Sequence, residues 1–581
     1  MSETIRIPKR SGTHADVLAA VGLADLLGSA FRQHEKVRIE EGHDAFLIHA
    51  PGGVDGAIRE RLPHTPGYRF LREKGEPVPA GVDFCDYEEE RDRAKRFREM
   101  SDALRKEGKG TAEITELLAQ QRPSRSWRRE QVVRLLQGHS TANKLARQVA
   151  ESDTKQFRDE VAGAVARLAQ GVPSGLRWKT EQVQVFNPPA AKGYARLKPD
   201  STDRNDGTSD GWGDPLLDWL RIRGFHRAAA PFYFGSKGEH IRILFPVPAA
   251  ISMAALSAVM DEFQSVGIHA TAEPKLDALA VLGLTRILLE HCTENSAARP
   301  ELPRLFSLRG STPRKVIAGV VITHYQSLGQ SRAVGSLQRL GLPAWFRVEG
   351  AQDVTEWFDI LEEHRRAIRC LEDKHSDEIG IVLAYRRFLQ GQDDAEDEPV
   401  AEAFLEFLGQ YGCFLIRARE AKRRVPQFTT RNVRRVLMGV TKSYTAILDN
   451  EGFQALARAV RHCTVSAQAQ RVMGGKDVRE IRYDLVPDLR RKRSLSADDF
   501  MTAMGEFVSH YNIENARRQE MKKGRTPRIT TEQFHQFAAL VEQHGADKVG
   551  ALLCAYGTCR EPSDTEEPAV VTGAEDASPE E

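Results

Sequence analysis

The stretch from Val486 to Arg560 decides the fold of the C-terminal part of the chain; it reads VPDLRRKRSLSADDFMTAMGEFVSHYNIENARRQEMKKGRTPRITTEQFHQFAALVEQHGADKVGALLCAYGTCR. Ser496, followed three residues later by Asp499, is typical of a helix N-terminus. Apolar residues then recur from Phe500 to Tyr511 at the spacing of one helical face. The pattern predicts an amphipathic helix that begins after Ser496.

Two further helices are predicted in the same stretch. Thr530 and Gln533 repeat the cap before an apolar stripe within residues 534–541, and Gly545 lies where that helix should end. A third stripe runs from Val549 to Tyr556. Because each helix has one apolar face, the three should pack together as a bundle.

Two basic clusters lie beside these helices, in segments that we predict to join them. A polyanion such as nucleic acid attracts clustered Lys and Arg side chains. The alternative is that both clusters are solvated loops without a partner. The clusters are Arg490, Arg491, Lys492 and Arg493, and then Lys522, Lys523 and Arg525.

Several short residue patterns point to a known family. They are Tyr483-Asp484-Leu485, Leu489-Arg490-Arg491-Lys492, Phe507-Val508, Tyr511-Asn512, Glu514-Asn515, Leu552-Leu553 and Ala555-Tyr556-Gly557, with a second group of Gly213-Asp214-Pro215-Leu216, Trp219-Leu220 and Gly224-Phe225. With these patterns, which cover under a third of the chain, the protein resembles the large subunits of type I CRISPR Cascade effector complexes.

The resemblance implies a subunit that is not an enzyme. Such a subunit recognises the protospacer-adjacent motif in duplex DNA, stabilises the R-loop and helps to recruit the helicase-nuclease. The implied partners are double-stranded target DNA, the displaced single strand, the CRISPR RNA within the complex and the other Cascade subunits. No catalytic residue, metal ligand or cofactor is expected.

The composition fits a globular protein with an uneven charge distribution. Its 581 residues suggest two to four domains. The formal net charge of +1 by itself argues against a nucleic-acid partner. Residues 401–560, however, hold 27 Lys and Arg against 17 Asp and Glu, whereas residues 561–581 hold eight acids and no base. The near-zero total is therefore a cancellation.

Cysteine usage and hydropathy bear on location. Seven cysteines are scattered without a C-x-x-C pair, which disfavours a disulfide framework and a tetrahedral zinc site. No export signal and no run of 18 apolar residues occurs. We therefore expect a cytoplasmic protein that does not contact a membrane.

The order of strand and helix patterns predicts an α+β fold. A mixed α/β N-terminal body is expected over residues 1–390, with a possible internal boundary near 171–212. An acidic linker over 391–399 should lead into an all-α helical bundle over 400–560. The acidic tail over 561–581 is rich in Pro, Ser and Thr and should be disordered.

The irregular segment after Phe186 has the chemistry of a loop that reads duplex DNA. Pro188 and Pro189 cannot continue a helix, and small polar residues follow. Asn suits the edge of adenine, and Lys or Arg suits guanine. The alternative is an ordinary surface connection. The candidate contacts are Asn187, Lys192, Arg196 and Lys198.

A hairpin tip and a tryptophan among arginines are two further candidates. Lys237 lies in a Gly-Ser-Lys-Gly turn between apolar strands, where it could touch a phosphate or be part of a bare turn. Trp127 is flanked by Arg122, Arg128 and Arg129, which could stack on bases and hold phosphates. The tryptophan could equally anchor a helix while the arginines extend into solvent.

The strongest electrostatic signal lies between two predicted helices of the C-terminal bundle. Residues 421–440 contain no acid, so their bases should attract a phosphate backbone. The six basic residues are Lys422, Arg423, Arg424, Arg431, Arg434 and Arg435.

Catalytic motifs do not appear in the sequence. No G-x-x-x-x-G-K-[ST], G-x-G-x-x-G, H-E-x-x-H or G-x-S-x-G pattern occurs. Gly474-Gly475-Lys476-Asp477 is similar to a polymerase loop, but Lys476 stands where a second acid is needed. A metal-dependent nuclease or another nucleic-acid-processing enzyme, whose carboxylates can be far apart in sequence, stays the alternative to a binding subunit.

Overall fold

A computed structural model of the chain describes residues 3–52, 56–181, 183–188, 214–234, 240–268, 270–295, 302–328, 331–390, 398–472, 479–521 and 526–562. Its strands form two antiparallel four-stranded sheets, with strand orders β1-β3-β2-β8 and β10-β9-β7-β6, and one parallel pair, β4-β5. The strands are β1 (Glu3–Pro8), β2 (Arg38–Glu41), β3 (Ala45–Ala50), β4 (Phe70–Arg72), β5 (Phe84–Asp86), β6 (Ala230–Phe234), β7 (His240–Pro248), β8 (Ala250–Ser252), β9 (Ile317–Leu328) and β10 (Ser331–Gly341).

Some α-helices lie between the strands, and after residue 350 the described chain consists of helices joined by short connections. The α-helices are α1 (His14–Phe31), α2 (Gly56–Arg61), α3 (Tyr87–Lys106), α4 (Thr111–Leu117), α5 (Trp127–Leu135), α6 (His139–Glu151), α7 (Thr154–Ala169), α8 (Pro215–Ala228), α9 (Met253–Phe263), α10 (Glu273–His291), α11 (Ala351–Arg369), α12 (Ser376–Leu389), α13 (Glu398–Glu420), α14 (Thr430–Val440), α15 (Thr445–Leu448), α16 (Glu451–Cys463), α17 (Val465–Val472), α18 (Leu485–Arg493), α19 (Ala497–Glu520), α20 (Thr531–His544) and α21 (Ala546–Gly557).

Helices α1 and α8 are both largely buried and pack closely against each other. A Cβ atom added to Gly22 would lie 1.9 Å from the carbonyl oxygen of Leu220, and one added to Gly224 would lie 2.0 Å from that of Leu18. The two glycines therefore let the helix backbones touch. Helix α1 is long and apolar enough to cross a membrane, but it is buried in the core, where it packs on α8 and the first sheet.

A buried ion-pair network joins the second sheet to the helices behind it. Arg242 of β7 is fully buried, and its Nε and Nη2 lie 2.5 and 2.7 Å from the two carboxylate oxygens of Asp277 in α10. Arg386 of α12 lies 3.1 Å from the same carboxylate. Because an unpaired buried charge is costly, the network fixes β7, α10 and α12 relative to one another.

An aromatic core runs across the linker predicted at 391–399. Phe404 of α13 stacks on Phe388 of α12 at a centroid distance of 4.6 Å and on His364 of α11 at 5.7 Å. Tyr385 of α12 contacts Phe407 of α13 at 4.9 Å. The domain division at this linker stays a prediction, and the helices on its two sides share one core.

The α+β class is confirmed, since the described strands all end by Gly341 and the regular secondary structure described beyond residue 350 is helical. The side chain of Ser496 accepts a bond from the Asp499 amide at the start of α19, and Thr530 and Gln533 form a capping box at α20. Both predicted helix starts are thus confirmed. The tail from residue 563 lies outside the described residues, as do residues 391–397 of the predicted linker.

One segment that we predicted to join helices is itself a helix. Arg490, Arg491, Lys492 and Arg493 form the last turn of α18, not a loop. Val486 and Leu489 bury one face of α18, and the positive charges lie at its C-terminal end, where the helix dipole favours them. Pro487 is tolerated because it lies in the first turn.

Candidate nucleic-acid interface

The connection between α13 and α14 carries the strongest predicted site. Helix α13 is followed by Lys422 in a left-handed conformation with φ of 62°. Thr429 caps α14, because its hydroxyl accepts a hydrogen bond from the Asn432 amide. Between them, the Tyr411 hydroxyl donates to the Pro426 carbonyl at 2.7 Å and Phe428 is buried. These contacts hold the backbone of the connection against α13 and α14.

Arg423 points inward from this connection. Its Nη1 lies 2.8 Å from Glu378 of α12 and 3.3 Å from Glu372, its Nη2 donates to the Cys370 carbonyl, and its guanidinium lies 5.1 Å from the centre of the Phe414 ring. These contacts hold α13 against the loop and helix α12. Arg423 is therefore a structural residue rather than an accessible phosphate contact.

Lys422 and Arg424, on either side of Arg423, point outward. Both side chains are exposed, and neither has a carboxylate partner within the described parts of the chain. A cation of this kind keeps its full charge for a ligand. Among the ten described candidates of the C-terminal helices, only these two have no carboxylate partner in the described residues, which leaves them free to contact a phosphate backbone.

The arginines of α14 line a groove of about 210 Å³ between α11 and α14. Arg431 pairs with Glu356 at 3.1 Å, and Arg434 pairs with Asp449 at 2.6 Å. Arg435 pairs with Asp353 at 2.6 Å. The groove is lined by Glu356, Asp359, Ile360, Arg431, Asn432, Arg434, Arg435 and Met438. Its charges are nearly balanced, although the sequence between 421 and 440 has no acid.

Arg435 is held more firmly than the other two arginines of this groove. Its Nε lies 3.4 Å from Glu356, and its guanidinium covers the ring of buried Trp357 at 4.9 Å. Asp359, also in the groove, is half-buried, and burial raises the pKa of its carboxyl group above the ordinary value. Arg431 is 61% exposed and Arg434 has a single carboxylate partner among the described residues, so these two are the arginines of the groove that can most readily exchange partners.

The basic residues of α18 are also paired. Arg490 and Arg493 both bind Glu406 of α13, at 2.6 and 3.3 Å, and Arg493 reaches Asp547 of α21 at 2.8 Å. Arg491 and Lys492 pair with Asp488 in their own helix, at 2.7 and 3.5 Å. Arg490 and Arg493 thus link α13, α18 and α21, while Arg491 is 71% exposed and stays accessible.

Taken together, eight of the ten described candidates in the C-terminal helices lie within 4 Å of a carboxylate. The excess of positive charge seen in the sequence is therefore much smaller at the surface. The partners come from residues 353–378, 406, 449, 488 and 547, of which only Asp488 lies at a helical spacing that the sequence could have indicated.

The candidates of the N-terminal body are mostly inward-facing. Trp127 is buried and contacts Tyr87 at 5.4 Å, which makes it an anchor for α5. Arg128 donates to the carbonyls of Gln264 and Val266 at 3.4 and 3.5 Å, and Arg122 is exposed. Two candidates are buried, Arg129 at 6% exposure and Asn187 at 1%.

Burial changes the chemistry of two of these side chains. Burial lowers the pKa of Arg129 to about 10. Because its side chain is buried, a phosphate in solvent does not contact the guanidinium. Asn187 is 1% exposed, so the structure does not present its amide to solvent, and its role as a base reader stays a prediction. The remaining predicted contacts lie outside the described residues; they are Lys192, Arg196, Lys198, Lys237, Lys522, Lys523 and Arg525.

Sequence reasoning missed a carboxylate that organises the start of α14. Glu363 of α11 accepts a bond from the Thr429 amide at 2.8 Å and another from the Asn432 side chain at 3.0 Å. Burial raises the pKa of Glu363 to about 7, although these hydrogen bonds favour the ionised form. No sequence pattern links Glu363 to α14, because the two segments meet only in the folded chain.

The described part of the chain contains no group of three or more His, Cys, Asp or Glu side chains placed to hold a metal ion. All seven cysteines are free thiols. Neither the comparison with protein-family models nor the comparison with curated proteins gives a match to this chain.

Proposed function

We propose that this chain is a non-enzymatic, nucleic-acid-binding subunit of an RNA-guided DNA surveillance complex of the type I Cascade kind. The observation that carries the proposal is the α13–α14 connection, which presents Lys422 and Arg424 to solvent without a carboxylate partner among the described residues. The residue patterns that resemble Cascade large subunits support the class of complex.

The proposed contact surface extends from this connection to Arg431 and Arg434 of α14. Arg431 is 61% exposed, and exposed ion pairs contribute only about 0–1 kcal/mol, so a phosphate can replace Glu356 at low cost. A guanidinium binds phosphate through two parallel hydrogen bonds, which favours the exchange. Arg423 and Arg490 keep their protein partners. The proposed phosphate contacts are Lys422, Arg424, Arg431 and Arg434.

Recognition of the protospacer-adjacent motif is assigned to the other predicted segments. Lys192, Arg196, Lys198 and Lys237 have side chains that suit base edges or phosphates. Pairing between CRISPR RNA and target DNA would supply the remaining specificity, with the C-terminal helices holding the duplex or the displaced strand. The proposal includes contacts with the other Cascade subunits, recruitment of the helicase-nuclease and a cytoplasmic location.

Binding of labelled duplex and single-stranded DNA to the purified chain tests the proposal. The variant Lys422→Gln/Arg424→Gln should bind about tenfold more weakly, since two phosphate contacts are lost. The control Lys155→Gln/Arg177→Gln removes two exposed bases that also lack a carboxylate partner among the described residues, but in the N-terminal body. It should bind as the unmodified chain does. Equal loss in both variants would contradict the assignment.

The nuclease alternative is tested with the same substrates. The chain is incubated with labelled DNA and Mg²⁺ or Mn²⁺, and the products are separated by size. We expect intact DNA at all times. Cleavage that a single Asp or Glu substitution abolishes would defeat the proposal of a non-enzymatic subunit.

A further inference from the structure

The acidic C-terminal segment leaves the folded chain at a fixed point beside the proposed contact surface. After α21, the Arg560 amide donates to the Phe428 carbonyl at 2.8 Å, and the Thr430 amide donates to the Arg560 carbonyl at 2.9 Å. These two backbone bonds tie Arg560 to the first residues of α14. The chain therefore enters its acidic segment next to the connection that carries Lys422 and Arg424.

The first carboxylate of that segment is already bound by two arginines. Glu561 accepts a bond from Arg461 of α16, and its carboxylate lies 3.7 Å from Nε of Arg458 in the same helix. Arg461 is nearly buried and also donates to the Tyr556 carbonyl at 3.3 Å, whereas Arg458 is 48% exposed. Arg458 and Arg461 are three residues apart and so lie on one helix face.

The residues that follow have the composition of a competing polyanion. Residues 563–581 contain seven Asp and Glu and no Lys or Arg. Fully extended, these 19 residues reach about 60 Å. Lys422 is six residues before Phe428, so it lies within about 22 Å of the point where Arg560 is bound. Helix α14 is about 16 Å long. All the proposed phosphate contacts are therefore within reach.

We propose that the acidic segment 561–581 docks on the cations of α14, α16 and the α13–α14 connection, where it competes with the phosphate backbone of nucleic acid. The contact begins with Glu561 on Arg458 and Arg461 and continues through the carboxylates after residue 562. The tether gives the segment a millimolar effective concentration, so individually weak ion pairs keep it bound at low salt. The competition rests on the proposed function, whereas the docking does not.

Chemical footprinting of arginines tests the docking in the full-length chain. An arginine-specific dicarbonyl reagent is applied at low salt, and the modification rates of Arg424, Arg431 and Arg458 are read by mass spectrometry. The comparison chain carries Asp564→Asn, Glu566→Gln, Glu567→Gln, Glu575→Gln, Asp576→Asn, Glu580→Gln and Glu581→Gln. Arg177, exposed and in the N-terminal body, serves as the internal control.

The neutralised chain should show at least twofold faster modification of Arg424, Arg431 and Arg458, with Arg177 unchanged. The difference should disappear at about 0.5 M salt because the contacts are screened. Equal rates in both chains would overturn the proposal. Protection that rises with protein concentration would also overturn it, since the segment would then dock on a second copy of the chain.

DNA binding by the same two chains separates this proposal from the proposed function. If the segment competes, neutralisation should tighten DNA binding by about tenfold at low salt. If the footprint changes but neither chain binds DNA, the docking stands and the proposed function fails. If both chains bind DNA equally and the footprint is unchanged, the proposed function stands and the docking fails.

Discussion

At the scale of single residues, Lys422, Arg423 and Arg424 are adjacent in sequence but differ in what they can do. Removing Arg423 leaves the largely buried carboxylate of Glu378 without its main partner. We predict that Arg423→Ala lowers the free energy of unfolding by about 2–3 kcal/mol. Lys422→Ala and Arg424→Ala should change it by less than about 0.5 kcal/mol. Urea denaturation measures the free energy of unfolding of all three variants. Equal effects would contradict the distinction between a structural Arg423 and two exposed neighbours.

Glu363 gives the fold a pH dependence at the start of α14. Its folded pKa, raised to about 7, lies above the ordinary glutamate value of 4.5, so the folded chain binds a proton more tightly than the unfolded chain. The contribution of Glu363 to stability is therefore highest below pH 4.5 and falls as pH rises through about 7.

The variant Glu363→Gln cannot titrate at this position, so it tests the predicted fall in stability with rising pH. We predict that the stability of the unmodified chain relative to Glu363→Gln falls on the order of 2 kcal/mol between pH 4.5 and 8. Thermal or urea denaturation at several pH values measures the difference. A difference that does not change with pH would contradict the raised pKa.

At the scale of helices, the close packing of α1 and α8 depends on two glycines. We predict that Gly22→Ala or Gly224→Ala destabilises the protein by about 2 kcal/mol or more, because each new Cβ would collide with a backbone carbonyl. Gly163→Ala, on the exposed face of α7 with no atom within 4 Å, should instead stabilise by about 0.5–1 kcal/mol. Thermal unfolding of the three variants measures the two predicted losses of stability and the one predicted gain.

The sequence predicts helix starts well because capping is local. Ser496 and Thr530 lie within three residues of the groups they bind, and both caps are confirmed. Helix α18 was mistaken for a joining segment because its four bases and Pro487 resemble a linker. Its apolar contacts, Val486 and Leu489, are too few to produce a clear periodic pattern.

The net charge of the candidate site, after its ion pairs form, could not be predicted from the sequence. Glu356, Glu378 and Glu406 neutralise arginines that are 45 to 87 residues away in sequence. Such pairs form only because α11, α12 and α13 pack beside α14 and α18. A local count of bases therefore overestimates the cationic surface. The sequence alone does not distinguish Lys422 and Arg424 from Arg423.

At the scale of the whole molecule, the shared aromatic core predicts how fragments behave. A fragment of residues 398–562 loses the contacts of Phe404 with Phe388 and His364, whereas a fragment of residues 351–562 keeps them. We predict a cooperative thermal transition for the longer fragment and a markedly lower or absent transition for the shorter one. Equal transitions would favour an independent domain that begins after the predicted linker.

The salt dependence of DNA binding tests the central claim most directly. Each phosphate contact contributes about 0.9 to the slope of log K against log salt concentration on duplex DNA. The slope of Lys422→Gln/Arg424→Gln should therefore be less steep by about 1.8 than that of the unmodified chain, while Lys155→Gln/Arg177→Gln keeps the full slope. Identical slopes in the three proteins, or no binding by any of them, would contradict the account.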